Sequence, residues 1–142
     1  MENNIYPCLW FDGQAQAAAK FYCSVFKNAR IRADNQMVVE FELDGKKFIG
    51  LNGGPQFRFN ESISFIIDCE TQDDIDYYWE KLTADGGSEG NCGWLKDKFG
   101  ISWQVVPTVL PKLLSNPEKA QKVMEVYMKM KKFDINALEN AS

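Results

Sequence analysis

The sequence predicts an α+β fold built from two paired β-α-β-β-β modules with a C-terminal helical extension. Three observations predict it. The strand and helix patterns of the first half return in the same order in the second. The two halves overlay at a constant offset, with Phe11-Asp12 on Ile67-Asp68 and Phe21-Tyr22 on Tyr77-Tyr78. A further helical pattern with its own cap then closes the chain. The expected boundaries are 1–60 for the first module, 61–107 for the second and 108–142 for the extension, all within one compact domain.

Taken in order, Ile5–Phe11 (IYPCLWF) reads as a short apolar strand stopped by Asp12-Gly13. Ala18, Phe21, Tyr22, Val25 and Phe26 then recur at helical spacing and mark one apolar face. Strands follow at Ala29–Ala33, Met37–Leu43 and Lys47–Asn52, with Asp44-Gly45 as the hairpin signal between the last two. Gly53-Gly54-Pro55 breaks the chain. It lacks both G-x-G-x-x-G spacing and a following helix, so it reads as a turn rather than a phosphate cradle.

The second module opens with the strand Ser62–Asp68. Thr71 caps a helix whose first turn holds Asp73, Asp74 and Asp76, where the dipole favours anions. Its apolar face is Ile75, Tyr78, Trp79 and Leu82, and Gly86-Gly87 ends it. Short strands follow near Ser88–Gly90, Trp94–Lys98 and Ile101–Val106. In the extension Asn116 is a cap with Pro117 at the first helical position. Ala120, Val123, Met124 and Tyr127 form its stripe, and a last turn spans Ile135–Asn140.

Composition excludes several function classes. The 142 residues are 45% hydrophobic and 25% charged, in the range of soluble globular chains. Acidic residues outnumber Lys and Arg by 20 to 16 with no basic tract, which argues against a nucleic-acid partner. No apolar run is long enough to span a membrane. The start, Met1-Glu2-Asn3-Asn4, lacks the charged and apolar regions of an export signal. Cys8, Cys23, Cys69 and Cys92 are widely spaced, so reduced thiols and a cytoplasmic location are expected. There is no histidine. Triads and any metal site needing imidazole are thereby excluded.

The stretches PCLWFDGQAQAAAKFYCSVF (7–26), FELDGKKFIGLNGGPQFRFN (41–60), SISFIIDCETQDDIDYYWEKLTADGG (62–87) and CGWLKDKFGISWQVVP (92–107) carry a family resemblance. The chain resembles the PhnB-like, or demethylubiquinone methyltransferase-like, group of the vicinal oxygen chelate superfamily, which includes glyoxalases, bleomycin-resistance proteins and dioxygenases. The resemblance implies a glyoxalase/bleomycin-resistance-like fold, a homodimer, and a ligand held in the hollow of the sheets. It also implies four metal slots from the first and fourth strands of each module. These fall on Tyr6, Gly50, Ser62 and Gln104, with Asn52 sharing the direction of Gly50. None is anionic, whereas hard cations want carboxylates and zinc wants His, Cys or carboxylate. No metal and no cofactor are expected. The methyltransferase label finds no glycine-rich loop after the first strand.

Alternation assigns the faces. Pro7, Leu9 and Phe11, with Ile63, Phe65 and Ile67, should lie beneath helices, as should Ile101, Trp103 and Val105. That leaves Tyr6, Cys8 and Trp10, with Ser62, Ser64 and Ile66, and Ser102, Gln104 and Val106, for the hollow. The expected ligand-binding set is Tyr6, Cys8, Trp10, Asn52, Ser62, Ser64 and Gln104, with Phe57 and Phe59 as a lid. No catalytic residue is assigned. Asp97 reads as a turn-stabilising carboxylate and Cys92 as a small hydrophobe. The expected function is metal-independent binding of a small molecule. The alternatives are an enzyme (lyase, isomerase or group transferase) using Tyr6, Cys8 or Gln104, and a structural or regulatory dimer with a vestigial hollow.

Overall fold

The computed structural model describes residues 3–141 and divides into two compact units, 1–59 and 60–142. Met1 and Glu2, part of the start read above, lie outside the described residues. In the first unit β1 (Cys8–Phe11), β2 (Ala29–Asp34), β3 (Val38–Leu43) and β4 (Lys46–Asn52) form one mixed sheet, order β1-β4-β3-β2, with α1 (Ala15–Val25) between β1 and β2. In the second, β5 (Ser64–Cys69), β6 (Ser88–Glu89), β7 (Trp94–Lys96) and β8 (Ser102–Pro107) form the order β5-β8-β7-β6, with α2 (Gln72–Thr83) and a 3-10 turn (Ala84–Gly86) between β5 and β6. The helices α3 (Val109–Leu114), α4 (Pro117–Tyr127) and α5 (Ile135–Asn140) complete it. The fold is α+β, as the sequence predicts, with two four-stranded sheets and C-terminal helices.

Each sheet buries one face under its own helix. In the first unit Ala15, Ala18, Ala19, Tyr22 and Val25 of α1 are buried, together with Leu9, Phe11, Val39, Phe41, Leu43 and Phe48 of the sheet. Tyr22 stacks on Phe41, and Phe41 on Phe48. Small residues let α1 approach closely. A Cβ added at Gly50 would sit 2.9 Å from Val39 Cγ1 and 3.2 Å from Ala15 Cβ. Gly50 therefore faces the helix, and is glycine because Val39 of β3 and Ala15 of α1 together fill that space.

In the second unit Ile75, Trp79 and Leu82 of α2 are buried, as are Leu95, Trp103 and Val105 of the sheet. Thr71 caps α2 by accepting from Asp74 N. Asn116 does the same for α4 by accepting from Glu118 N. Asp97 is 2% exposed at the β7–β8 turn. Its Oδ1 accepts from Phe99 N and Ile101 N, and its Oδ2 accepts from Trp103 Nε1 at 2.9 Å. The carboxylate thus staples the turn to the core, an elaboration of the turn role read from sequence.

Three local expectations change. The first strand begins at Cys8, not Ile5; Pro7 has no N–H to give a ladder, and Ile5 is 99% exposed. Ile63 precedes β5 and is 72% exposed rather than core. The helix α3 was not read from sequence, because it is short and contains Pro111. A proline in the first turn removes only an N–H that has no intrahelical partner.

Within the second unit the extension is tied to the turn before β7 and to α2 by both backbone and side chains. Cys92 N and Gly93 N donate to the carbonyls of Met130 and Lys131. Gln72 donates to Phe133 O and accepts from Ile135 N. Lys132 pairs with Asp76 at 2.7 Å, and this contact, with the Gln72 amide, lowers the Asp76 pKa.

Candidate functional site

The uncovered face of the first sheet follows from pairing. Register sets Cys8 beside Ile49 and Trp10 beside Leu51, opposite in facing to Leu9, Gly50 and Phe11. Trp10 lies against the Gly53-Gly54 turn. Its Nε1 donates to Gly54 O at 2.8 Å, and a Cβ on Gly53 would lie 2.4 Å from the indole. Gly53 N and Gly54 N both donate to Phe11 O, so this run is the turn the sequence predicts. Phe57 meets Trp10 edge-on, with ring centroids 4.9 Å apart, and is 65% exposed. Phe59 instead packs edge-on against Phe11. Tyr6 lies ahead of β1, with Lys47 Nζ 4.0 Å from its ring centroid.

The β2–β3 end of this face is charged. Val39, Phe41 and Leu43 point to the helix, leaving Glu40 and Glu42 on the other side. Glu42 pairs with Arg30 and Arg32, and Glu40 with Lys47. The ladder was legible in the alternation of VVEFEL but was not read as part of the site.

Asn52 lies on the helix-covered face, in register with Phe11. Its Oδ1 accepts from Ala15 N at 2.9 Å, and its Nδ2 donates to Gln16 Oε1 and Gln36 O. Gln14, at the helix start, makes no side-chain cap, so Asn52 supplies it from β4. Its amide is therefore spent on the fold, away from Cys8 and Trp10.

On the second sheet the face opposite Phe65 and Trp103 carries Ser64, Ile66 and Asp68 of β5, Ser102, Gln104 and Val106 of β8, and Trp94 and Lys96 of β7. Gln104 Nε2 donates to Ser64 Oγ at 2.9 Å. Trp103, its neighbour, is 4% exposed beneath α2, with its ring 5.4 Å from that of Phe65. Ser62 lies outside β5, in a turn where both its N–H and its Oγ donate to Asn60 Oδ1. An open cleft of about 560 Å³ adjoins this face, bounded by Trp94, Gln104 and Val106 and by side chains of α3 and α4. The α3 and α4 wall was missed, since nothing local ties residues 110–128 to β8. Cys92 also reaches the cleft, from a backbone with φ of 58°.

A second, smaller cleft of about 230 Å³ lies at the β6–β7 edge and includes Glu61, Lys96 and Ser102. The Lys96 contact at 2.5 Å holds the Glu61 carboxyl below its ordinary range. Ser102 Oγ is buried without a hydrogen-bond partner among the described residues.

The residues do not fit a divalent metal. Gly50 faces α1, Asn52 is engaged in capping, and Tyr6 and Ser62 are neutral oxygens outside the strands. Among the described residues no three His, Cys, Asp or Glu side chains come together as a metal site. All four cysteines are free thiols. Burial, reinforced by Asp74 and Asp68, pushes the Cys69 thiol up to about 12. Among the described residues no helix is long and apolar enough to cross a membrane.

Comparison with known proteins bears on the fold and family. A family model described as 3-demethylubiquinone-9 3-methyltransferase matches residues 3–106. A Bacillus cereus structure titled as a putative 3-demethylubiquinone-9 3-methyltransferase, PhnB protein, is 28% identical with TM-score 0.66, over 75% of this chain and 100% of that one. A Pseudomonas aeruginosa protein is 17% identical with TM-score 0.60, over 75% of this chain and 98% of that one. A glyoxalase-related enzyme from Fulvimarina pelagi is 15% identical with TM-score 0.58, over 78% and 91% respectively. No curated protein matches the chain.

Proposed function

Because the chain belongs to the family described as 3-demethylubiquinone-9 3-methyltransferase, whose fold here is glyoxalase/bleomycin-resistance-like, we propose that it is a metal-independent small-molecule-binding protein. The ligand lies on the uncovered face of the second sheet, against Gln104 and Ser64; in the first unit, taken by itself, Trp10 and Cys8 lie on the corresponding uncovered face. Tyr6 and Ser62 flank these faces, Phe57 is the lid residue, and Asn52 acts by fixing α1. The carrying observation is the Gln104–Ser64 pair beside Trp94, Val106 and Ile66, an oriented polar pair with apolar neighbours on a face whose charged residues, Asp68 and Lys96, lie outside the cleft lining.

Binding is favoured over catalysis because the cleft beside Gln104 holds no carboxylate, amine or imidazole. Its only groups suited to proton transfer are Cys92 and Tyr127. The methyl transfer in the family's description is not carried over. The turn after β1, Asp12-Gly13-Gln14, is not glycine-rich, and neither sheet is doubly wound. The reading includes a homodimer, supported by the superfamily resemblance and by the exposed Ile63 and Ile66. Sedimentation at twice the 16.2 kDa chain mass is expected.

The test is a thermal-shift screen of uncharged aromatic and amide-bearing compounds, with and without chelator. A ligand at about 100 times its Kd stabilises by about 2.7 kcal/mol, a shift of several degrees. Stabilisation that survives the chelator and falls in Gln104→Ala is expected. Binding that requires a divalent metal refutes the proposal, as does one tightly held metal per chain by elemental analysis.

A further inference from the structure

We propose that the C-terminal extension builds a cleft of its own onto the second sheet, selective for an uncharged, elongated aromatic or alkyl molecule with one N–H or O–H donor. The inference rests on the small-molecule reading above and names the ligand class and the wall that selects it. One wall is the uncovered sheet face, with Gln104 and Trp94; the other is Leu114 of α3 with Met124 and Tyr127 of α4 and Met128 at its C-terminal cap. The volume, about 560 Å³, lies in the range of pockets that enclose drug-sized molecules.

Three observations define the occupant. No lining residue is charged, so an ion would lose its hydration without a compensating partner. The methionines are unbranched and polarizable, and suit varied apolar shapes and aromatic rings. Met124 is 43% and Met128 63% exposed, so these side chains have room to close on a guest. The single amide gives polarity a direction. Gln104 Nε2 is engaged by Ser64 Oγ, and Gln104 Oε1 accepts no hydrogen bond among the described residues. A ligand donor would complete it.

The wall lies outside the span that the family model matches. The family match ends at residue 106, and the whole Bacillus cereus structure is accounted for by 75% of this chain. Leu110, Leu114 and all of α4 lie beyond that point. The bonds from Cys92 and Gly93 to Met130 and Lys131 fix the far end of α4, so its position over the sheet is built in.

The test is fluorescence titration of the full chain with N-phenyl-1-naphthylamine, an uncharged aromatic with one N–H, and with its N-methyl analogue. Saturable binding at one site per chain is expected, with the N–H form roughly 10-fold tighter, the value of one hydrogen bond. Gln104→Ala should abolish that preference. Met124→Lys, or Met128→Lys as a second exposed position, should weaken both dyes at least about 10-fold with unchanged circular dichroism. If Gln104→Ala weakens binding and neither lysine variant does, the extension cleft is refuted while the open-face reading stands. If none of the three variants changes binding, both are refuted. Equal affinity for the anionic 1-anilinonaphthalene-8-sulfonate overturns the uncharged class. No dye binding together with a drop in mass on Met124→Lys identifies a second copy as the occupant, and overturns the inference.

Discussion

Trp103 and Gln104 are sequence neighbours that strand alternation sends to opposite faces, so truncating each to alanine should have opposite consequences. Trp103 is 4% exposed beneath α2, against the ring of Phe65, and its indole donates to a carboxylate that is itself 2% exposed. Removing a buried Trp costs about 3–5 kcal/mol for the cavity. Leaving Asp97 Oδ2 without that donor adds about 1–3 kcal/mol. The sum, roughly 4–8 kcal/mol, rivals the whole stability of a domain this size, about 5–15 kcal/mol. Gln104 is half-buried and loses one neutral hydrogen bond to Ser64, about 0.5–1.5 kcal/mol. Trp103→Phe keeps a ring and drops the donor, and should fall between. Urea unfolding followed by far-UV circular dichroism reads all three midpoints. A Gln104→Ala cost above about 3 kcal/mol, or a Trp103→Ala cost below about 2 kcal/mol, refutes the facing and the site with it.

Gly93→Ala forces a side chain into φ of 81° and sets its Cβ 2.4 Å from Phe133 Cε2. A cost of roughly 2–5 kcal/mol is expected from the backbone strain and the overpacking, with the extension released and Cys92 alkylated faster; wild-type stability would refute that anchoring. Ser102→Ala removes an orphaned buried hydroxyl and should be neutral or raise the urea midpoint slightly, whereas a loss above about 1 kcal/mol would reveal a hidden partner. The Cys69 thiol is pushed up to about 12 from 9.0, so the folded state holds this proton more tightly than the unfolded one. Its contribution to stability is full below pH 9.0 and is lost as pH rises toward about 12. Cys69→Ala should flatten the alkaline limb of a pH–stability curve, and alkylation of native protein should label Cys8 well before Cys69.

The sequence by itself determined everything that depends on neighbours within a turn or a strand. A strand repeats every two residues and a helix every 3.6, so the order of elements, the α2 and α4 caps at Thr71 and Asn116, and the split of Trp103 from Gln104 were all legible. The same logic exposes Glu40 and Glu42 once Val39 and Phe41 are assigned to the core. Where chain ends or prolines interrupt pairing, at Ile5–Pro7 and at Ile63, alternation continued past the real strand because it carries no information about the ladder. Tertiary structure alone decided the rest. Asn52 caps a helix 37 positions away. Gly50 is glycine because Val39 and Ala15 fill its side-chain space, and Gly53 because the Trp10 indole does. The extension lays Met124 and Met128 beside Gln104, across a gap of about twenty positions in sequence. These are contacts between groups with no fixed spacing along the chain. Packing selects them by which surfaces remain uncovered after each sheet has buried one face, a property of the folded volume rather than of any local pattern.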